Sequence, residues 1–141
     1  LKALLERVTD YIAHRTSDKV KISTHVPDSL PPVRLNVALF EWVIENLCKN
    51  AVDAMGGVGV LVISVQETSR YWCIDVADTG KGIDKRYFET VFAPGYTTKK
   101  RGWGLGLSLA RRIVVEYHSG SIFVKQSEIN KGTIFRIELK K

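Results

Sequence analysis

Between Asp78 and Gly106 the chain loses its hydrophobic periodicity, and glycines cluster at both ends of the stretch: Gly80 and Gly82 at the start, Gly102, Gly104 and Gly106 at the finish. A segment this long with no period of its own exceeds an ordinary connection in a compact domain, and such loops are held by a rigid frame and carry function. The frame is legible on either side. Leu1 to His14 places Leu4, Leu5, Val8, Tyr11 and Ile12 at helical spacing, and Lys19 to Val26 then alternates as a strand. Pro27, Pro31 and Pro32 break the chain. Asn36 is then placed to cap a central helix carrying Val37, Phe40, Val43, Ile44, Leu47, Cys48, Ala51 and Met55. Gly56, Gly57 and Gly59 stop that helix, and the runs Val60 to Gln66 and Tyr71 to Ala77 read as a hairpin. Beyond the long loop, Leu105 to Tyr117 returns to helical spacing, and Ser121 to Lys125 and Thr133 to Leu139 alternate across a turn at Asn130 to Gly132. The sum is an α/β domain with helices on one face of a mixed or antiparallel sheet.

The 141 residues, 45% hydrophobic and 26% charged, fit one globular domain spanning 1–141, large enough to hold a core without metal or disulfide staples. A net charge of +6 favours an anionic partner. Nucleic acid is the weaker choice, because the basic residues concentrate in the long loop and no aromatic-basic interleaving marks a strand-reading surface. No apolar run approaches the ~20 residues of a membrane span. A start at Leu1 reads as a piece of something longer, with residues 1–18 the trailing end of an upstream helix. Cys48 and Cys73 lack metal spacing and are expected to be buried and reduced.

Three clusters carry the chemistry. On the central helix, Asn46 lies ~40° and Asp53 ~60° from Asn50 around the axis, whereas Glu45 lies ~140° away. Amide oxygens on such a face suit a Mg²⁺ that already holds phosphate oxygens and water. Next comes Asp78-Thr79-Gly80-Lys81-Gly82-Ile83, directly after a strand. A carboxylate there can accept from an exocyclic amine such as that of adenine, and the glycines let backbone approach a flat ring. The last is Gly102-Trp103-Gly104-Leu105-Gly106-Leu107, where clustered N–H groups ahead of a helix form an anion site. It is neither a Walker A loop nor a Rossmann fingerprint. Between the second and third clusters, Phe88 and Phe92 make an apolar anchor on a short helix, and Thr97, Thr98, Lys99, Lys100 and Arg101 suggest a hinged lid. Lys99 is the expected phosphate contact, with Lys100 and Arg101 solvated.

The asparagine pair, the DxGxG turn, the paired phenylalanines and the GxGLGL run, in this order and followed by Gly132-Thr133-Ile134-Phe135, resemble the catalytic and ATP-binding domain of sensor histidine kinases. They resemble also the wider Bergerat-fold superfamily of DNA gyrase, heat-shock chaperone and mismatch-repair ATPases. The resemblance covers roughly Leu35 to Leu139. It implies a two-layer α/β sandwich with a mobile ATP lid. It implies further that Asn50 binds Mg²⁺, Asn46 supports the phosphates and Asp78 takes the adenine amine. Gly80, Gly82 and Ile83 would shape the pocket, Gly102, Gly104, Leu105, Gly106 and Leu107 would cradle phosphates, and Thr133 would sit near adenine through water. One departure stands out: many sensor kinases carry a basic or aromatic residue three or four positions after the metal Asn, where this chain has Asp53 and Ala54.

Hydrolysing members of the superfamily carry Glu four residues before the metal Asn, a position held here by Asn46. Transfer to a neutral imidazole needs no such base, because the nucleophile already has its lone pair. The chain is therefore expected to be the catalytic domain of a protein-histidine kinase rather than an ATP-hydrolysing or binding-only module. None of His14, His25 and His118 stands in a His-Glu-x-x-Thr/Asn-Pro setting. The acceptor histidine is expected on a dimerisation domain of the parent chain, with a response regulator receiver downstream. The setting is expected to be cytoplasmic, with no nucleic acid and no direct membrane contact.

Overall fold

The computed structural model describes residues 1–28, 30, 33–96 and 106–141. Helix α1, Lys2–Arg15, leads into strand β1, Val20–His25, and then into helix α2, Val37–Ala54. Strands β2, Gly59–Glu67, and β3, Tyr71–Asp78, follow. Two single turns of 3-10 helix, Lys85–Tyr87 and Thr90–Phe92, precede helix α3, Gly106–Arg112. A wider π-helical turn, Ile113–Tyr117, extends α3, and strands β4, Ser121–Glu128, and β5, Gly132–Lys140, end the chain.

These five strands form one sheet in the order β1-β2-β3-β5-β4, with β1 and β2 parallel and the other pairs antiparallel. The parallel pair follows from α2, which carries the chain back over the sheet between β1 and β2. The mixed-sheet, two-layer expectation therefore holds. Phe40, Val43, Ile44, Leu47, Cys48 and Ala51 of α2, with Leu4, Leu5, Val8 and Ile12 of α1, form the helix layer of the core. Leu61, Ile63, Ile74, Val76, Phe135 and Ile137 face them from the sheet. Alternation in these strands is what lets one face bury.

Local chemistry sets the ends of α2. The Asn36 side chain accepts from the Leu39 N–H at 3.2 Å, as the capping expectation required. A second bond ties this end to the far side of the domain, where the Asn36 N–H donates to His118 Nε2 at 3.0 Å. The other ring nitrogen, Nδ1, lies 3.0 Å from the Ile113 carbonyl, so His118 links the π-helical turn to the start of α2. The uniform helix expected over Leu105 to Tyr117 is thus an α-helix followed by a wider turn. Phe88 and Phe92 likewise do not share one short helix: Phe88 follows the first 3-10 turn as its C-cap and Phe92 ends the second. Phe92 is buried edge-on against Phe135, with centroids 6.0 Å apart. Both cysteines are free and buried. Burial, with the Glu45 charge adding, pushes the Cys48 thiol up to about 12. Among the described residues no helix is long and apolar enough to cross a membrane.

The sheet face turned away from the helices carries a buried ion pair. Register places Asp75 opposite both Ser64 and Arg136. The Arg136 guanidinium donates to both Asp75 oxygens, at 2.7 and 2.9 Å. Lys125 Nζ stands 3.6 Å from the same carboxylate, and its partner holds the Arg136 pKa above its ordinary value. Removing Asp75 leaves the part-buried Arg136 charge without its partner, so Asp75→Ala is expected to cost about 1.5–3 kcal/mol in urea unfolding. The double change Asp75→Leu with Arg136→Met should recover most of that loss, and a cost below about 1 kcal/mol for Asp75→Ala would mean that solvent already screens the pair.

Candidate functional site

The site is built along one stripe of α2. Residues four apart on a helix stack on the same face, and Asn46, Asn50 and Ala54 form such a series over about 12 Å at 1.5 Å per residue. At the N-terminal end of the stripe, Asn46 meets the start of α3. A methyl group added at Gly106 would lie 2.7 Å from Asn46 Oδ1, so any side chain there would have to displace the Asn46 amide. The Asn46 Nδ2 is buried and has no hydrogen-bond partner among the described residues. A buried donor in that state costs about 1–3 kcal/mol unless an acceptor reaches it. Phosphate oxygens are acceptors of the right kind. Asn50 lies half-buried one turn along.

At the C-terminal end of the stripe, Ala54 meets the turn after β3. The Lys81 N–H donates to the Ala54 carbonyl at 2.9 Å, and a methyl group at Gly80 would lie 2.7 Å from that same oxygen. Gly80 is therefore the second point where backbone must come close. Asp78 closes this end. Its Oδ1 accepts from the Gly80 N–H at 2.8 Å, and its carboxylate also receives the backbone of Thr133. Only 8% of Asp78 is exposed, and burial raises its pKa despite those two donors. A carboxylate kept in such a place at a desolvation cost, with acceptor capacity left over, is suited to an N–H donor on a ligand.

The structure brings Asn46 to Gly106 and Asp78 to Gly80 and Thr133, and strings both ends on α2. Gly82 packs against the backbone of Glu128, and Ile83 and Leu107 pack partly buried against the core. Lys99, Gly102, Gly104 and Leu105 lie outside the described residues. Glu45 stands close enough to Cys48 to raise its pKa, on a different side of α2 from the Asn46 stripe. One polar hub lies outside the motifs. Ser127 on β4 accepts from the Ile83 N–H at 2.7 Å and sits 2.8 Å from the Thr133 hydroxyl. No spacing rule marks Ser127, although its register partner Thr133 does belong to a motif.

The candidate for magnesium on this stripe is Asn50, by the chemistry of its amide oxygen. Among the described residues no group of three or more His, Cys, Asp or Glu side chains could hold a metal ion. A neutral amide plus ligand oxygens and water is a donor set that Mg²⁺ accepts. The same stripe has the partnerless Asn46 amide nitrogen, a donor, at one end and the buried Asp78 carboxylate, an acceptor, at the other.

The arrangement is that of an α/β domain in which one helix stripe meets a glycine turn at each end and the paired ends of β3 and β5 close one side. Residues 36–141 match the family described as histidine kinase-, DNA gyrase B- and HSP90-like ATPase, and the chain belongs to that family. Within it, the relatives are sensor kinases. Sensor histidine kinase ZraS of Escherichia coli (strain K12) is 35% identical over 123 residues, covering 87% of this chain and 26% of ZraS. The chain thus spans about a quarter of the length of the curated relatives it matches. The nucleotide-free catalytic domain of histidine kinase ThkA is similar over 100% of this chain and 92% of its own, with a TM-score of 0.88 and 27% identity. ThkA in complex with the response regulator TrrA matches with a TM-score of 0.84 at 25% identity, over 100% of this chain and 40% of that one. Full-length ShkA in complex with AMPPNP shares the fold, with a TM-score of 0.86 at 24% identity over 97% of this chain and 29% of its own.

The raised Asp78 pKa has a consequence for stability. A carboxyl whose folded pKa lies above its ordinary 3.8 favours the fold most when both states are protonated, and that contribution is lost as pH rises through the folded value. The melting temperature of Asp78→Asn is therefore expected to gain on that of the parent as pH rises toward 7. The gain should be lost on acidification below about pH 4. Thermal unfolding across that range checks the sign, and a difference that stays constant or moves the other way with pH would refute the desolvation argument.

Proposed function

We propose that this domain binds Mg-ATP and directs the γ-phosphoryl group to a histidine on a separate dimerisation domain of its parent protein, from which a response regulator receives it. Asn46 carries the reading. It holds the position where a hydrolase needs an acidic base, and its buried amide nitrogen faces Gly106 with no partner among the described residues. An amide there can orient a phosphoryl group but cannot take a proton from water. A neutral imidazole asks for no deprotonation before attack, so positioning and charge screening suffice.

On this reading each group has one task. Asp78 accepts the exocyclic amine of adenine, Thr133 supports that contact, and Gly80, Gly82 and Ile83 shape the base end. Asn46, Gly106 and Leu107 hold the phosphate end, together with Gly102, Gly104, Leu105 and Lys99. Asn50 offers its amide oxygen to Mg²⁺, and the ion when bound neutralises charge on the phosphates. The domain would act where ATP is supplied, on the cytoplasmic side.

The test is transfer to a supplied acceptor. With labelled ATP, magnesium and a dimerisation-helix fragment of the parent protein, the fragment is expected to gain an acid-labile, alkali-stable phosphate. Asn50→Ala should lower that transfer at least about a hundredfold while circular dichroism and melting stay unchanged. Transfer retained in Asn50→Ala would overturn the metal assignment, and steady release of inorganic phosphate without acceptor would favour hydrolysis.

A further inference from the structure

The proton count around Ser127 leads from binding to selectivity. Ser127 has one hydroxyl proton and two lone pairs. Its Oγ accepts the Ile83 N–H at 2.7 Å and donates to the Gly132 carbonyl at 3.0 Å, an oxygen that can only accept. With the Ser127 proton on the Gly132 carbonyl, the third contact, 2.8 Å to Thr133 Oγ1, is made by the Thr133 proton. Thr133 has no second hydroxyl proton. Its oxygen is left with lone pairs only.

Asp78 is in the same condition. Its carboxylate receives the Gly80 and Thr133 backbones and has nothing to donate. The two groups are joined through Thr133 itself and are cross-strand partners in the register of β3 and β5. The base end is therefore lined by acceptors. A 6-amino purine brings two N–H donors on one atom to such a place. A 6-oxo purine sets lone pairs against lone pairs there and offers only the single ring N–H beside them.

We infer that Ser127 is a specificity-determining positioning residue that never touches the nucleotide: by taking up the Thr133 proton it turns that hydroxyl into an obligate acceptor and selects 6-amino over 6-oxo purine nucleotides. This rests on the proposed nucleotide site. Register supports the role, since Ser127 lies opposite Thr133 just beyond an irregularity between Val124 and Gln126 that resets the alternation of β4. The Ile83 N–H ties the loop after Gly82 to the same oxygen, so one hydroxyl fixes both the turn and the direction of the Thr133 proton.

The experiment is calorimetry with ATP and inosine triphosphate, which differ at the 6-position and share the triphosphate. The unaltered protein is expected to bind ATP at least about tenfold more tightly. Ser127→Ala frees the Thr133 hydroxyl to turn and donate, so the ATP:inosine triphosphate ratio should fall toward one, and Ser127→Thr should restore it. In a Thr133→Val background, Ser127→Ala should leave the ratio unchanged. A ratio within about threefold in the unaltered protein would overturn the inference without needing any variant to fold. Equal loss of both nucleotides in Ser127→Ala, with the ratio intact, would also overturn it and assign Ser127 a purely structural part. Absence of binding by either nucleotide would instead remove the site reading on which the inference stands.

Discussion

Helix α2 is rotated by its own core side chains, and everything polar in the candidate site depends on that rotation. Phe40, Ile44, Leu47 and Ala51 are pinned against the sheet, with Phe40 and Ile44 wholly out of solvent. A turn of the helix about its axis would drag these groups into water at about 25 cal/mol for each Å² exposed. Because the buried face cannot move, the stripe of Asn46, Asn50 and Ala54 cannot move either. Hydrophobic packing here acts as the fixture for amide chemistry. The bond from Asn36 to His118 anchors the start of the helix, and the Ala54 carbonyl engages the Lys81 N–H at its end.

That arrangement links the two ends of the site mechanically. The Gly80 turn packs on the last residue of α2, and Gly106 packs on the Asn46 amide two turns earlier. Loop ends that would otherwise be independent share one rigid helix as their floor. Side-chain bulk at Gly80 would force backbone apart, because the obstructing atoms are the Ala54 carbonyl, whereas bulk at Gly106 would displace the Asn46 amide. The sheet supplies the second wall through Asp78 and Thr133, which the β3 and β5 ladder holds face to face. On its far side the same ladder carries the Asp75 and Arg136 pair, so register between β3 and β5 is specified on both faces.

Elements whose cause is local could be read from the chain. The apolar spacing of Phe40, Ile44, Leu47 and Ala51, the Asn36 cap and the alternation of Thr133 to Leu139 each depend on neighbours in sequence, and each appears in the structure. Elements whose cause is tertiary could not. The widened turn from Ile113 to Tyr117 accompanies a His118 ring that bridges to Asn36, a contact spanning most of the chain. Strand β4 runs three residues past Lys125 because the shift between Val124 and Gln126 keeps it paired with β5, although Gln126, Ser127 and Glu128 lack apolar alternation. Ser127 was hidden for the same reason: its importance comes from the strand opposite. The glycine clusters marked the site, yet the reason for Gly80 and Gly106, contact with Ala54 and Asn46, belongs to packing alone.

The rotation of α2 also settles what Glu45 can do. It is the carboxylate nearest in sequence to the asparagine stripe, and a one-residue shift would place it on that face. Instead its charge is felt at Cys48, three residues on, whose thiol it helps to raise. Moving Glu45 toward Gly106 would require turning the helix by about 100°, which the buried leucine and phenylalanine side chains forbid. Among the described residues, Asn46 is therefore the polar side chain of α2 that meets Gly106, and an amide there is no general base. The hydrophobic contacts that fold the domain thus also decide which polar side chain of α2 meets Gly106.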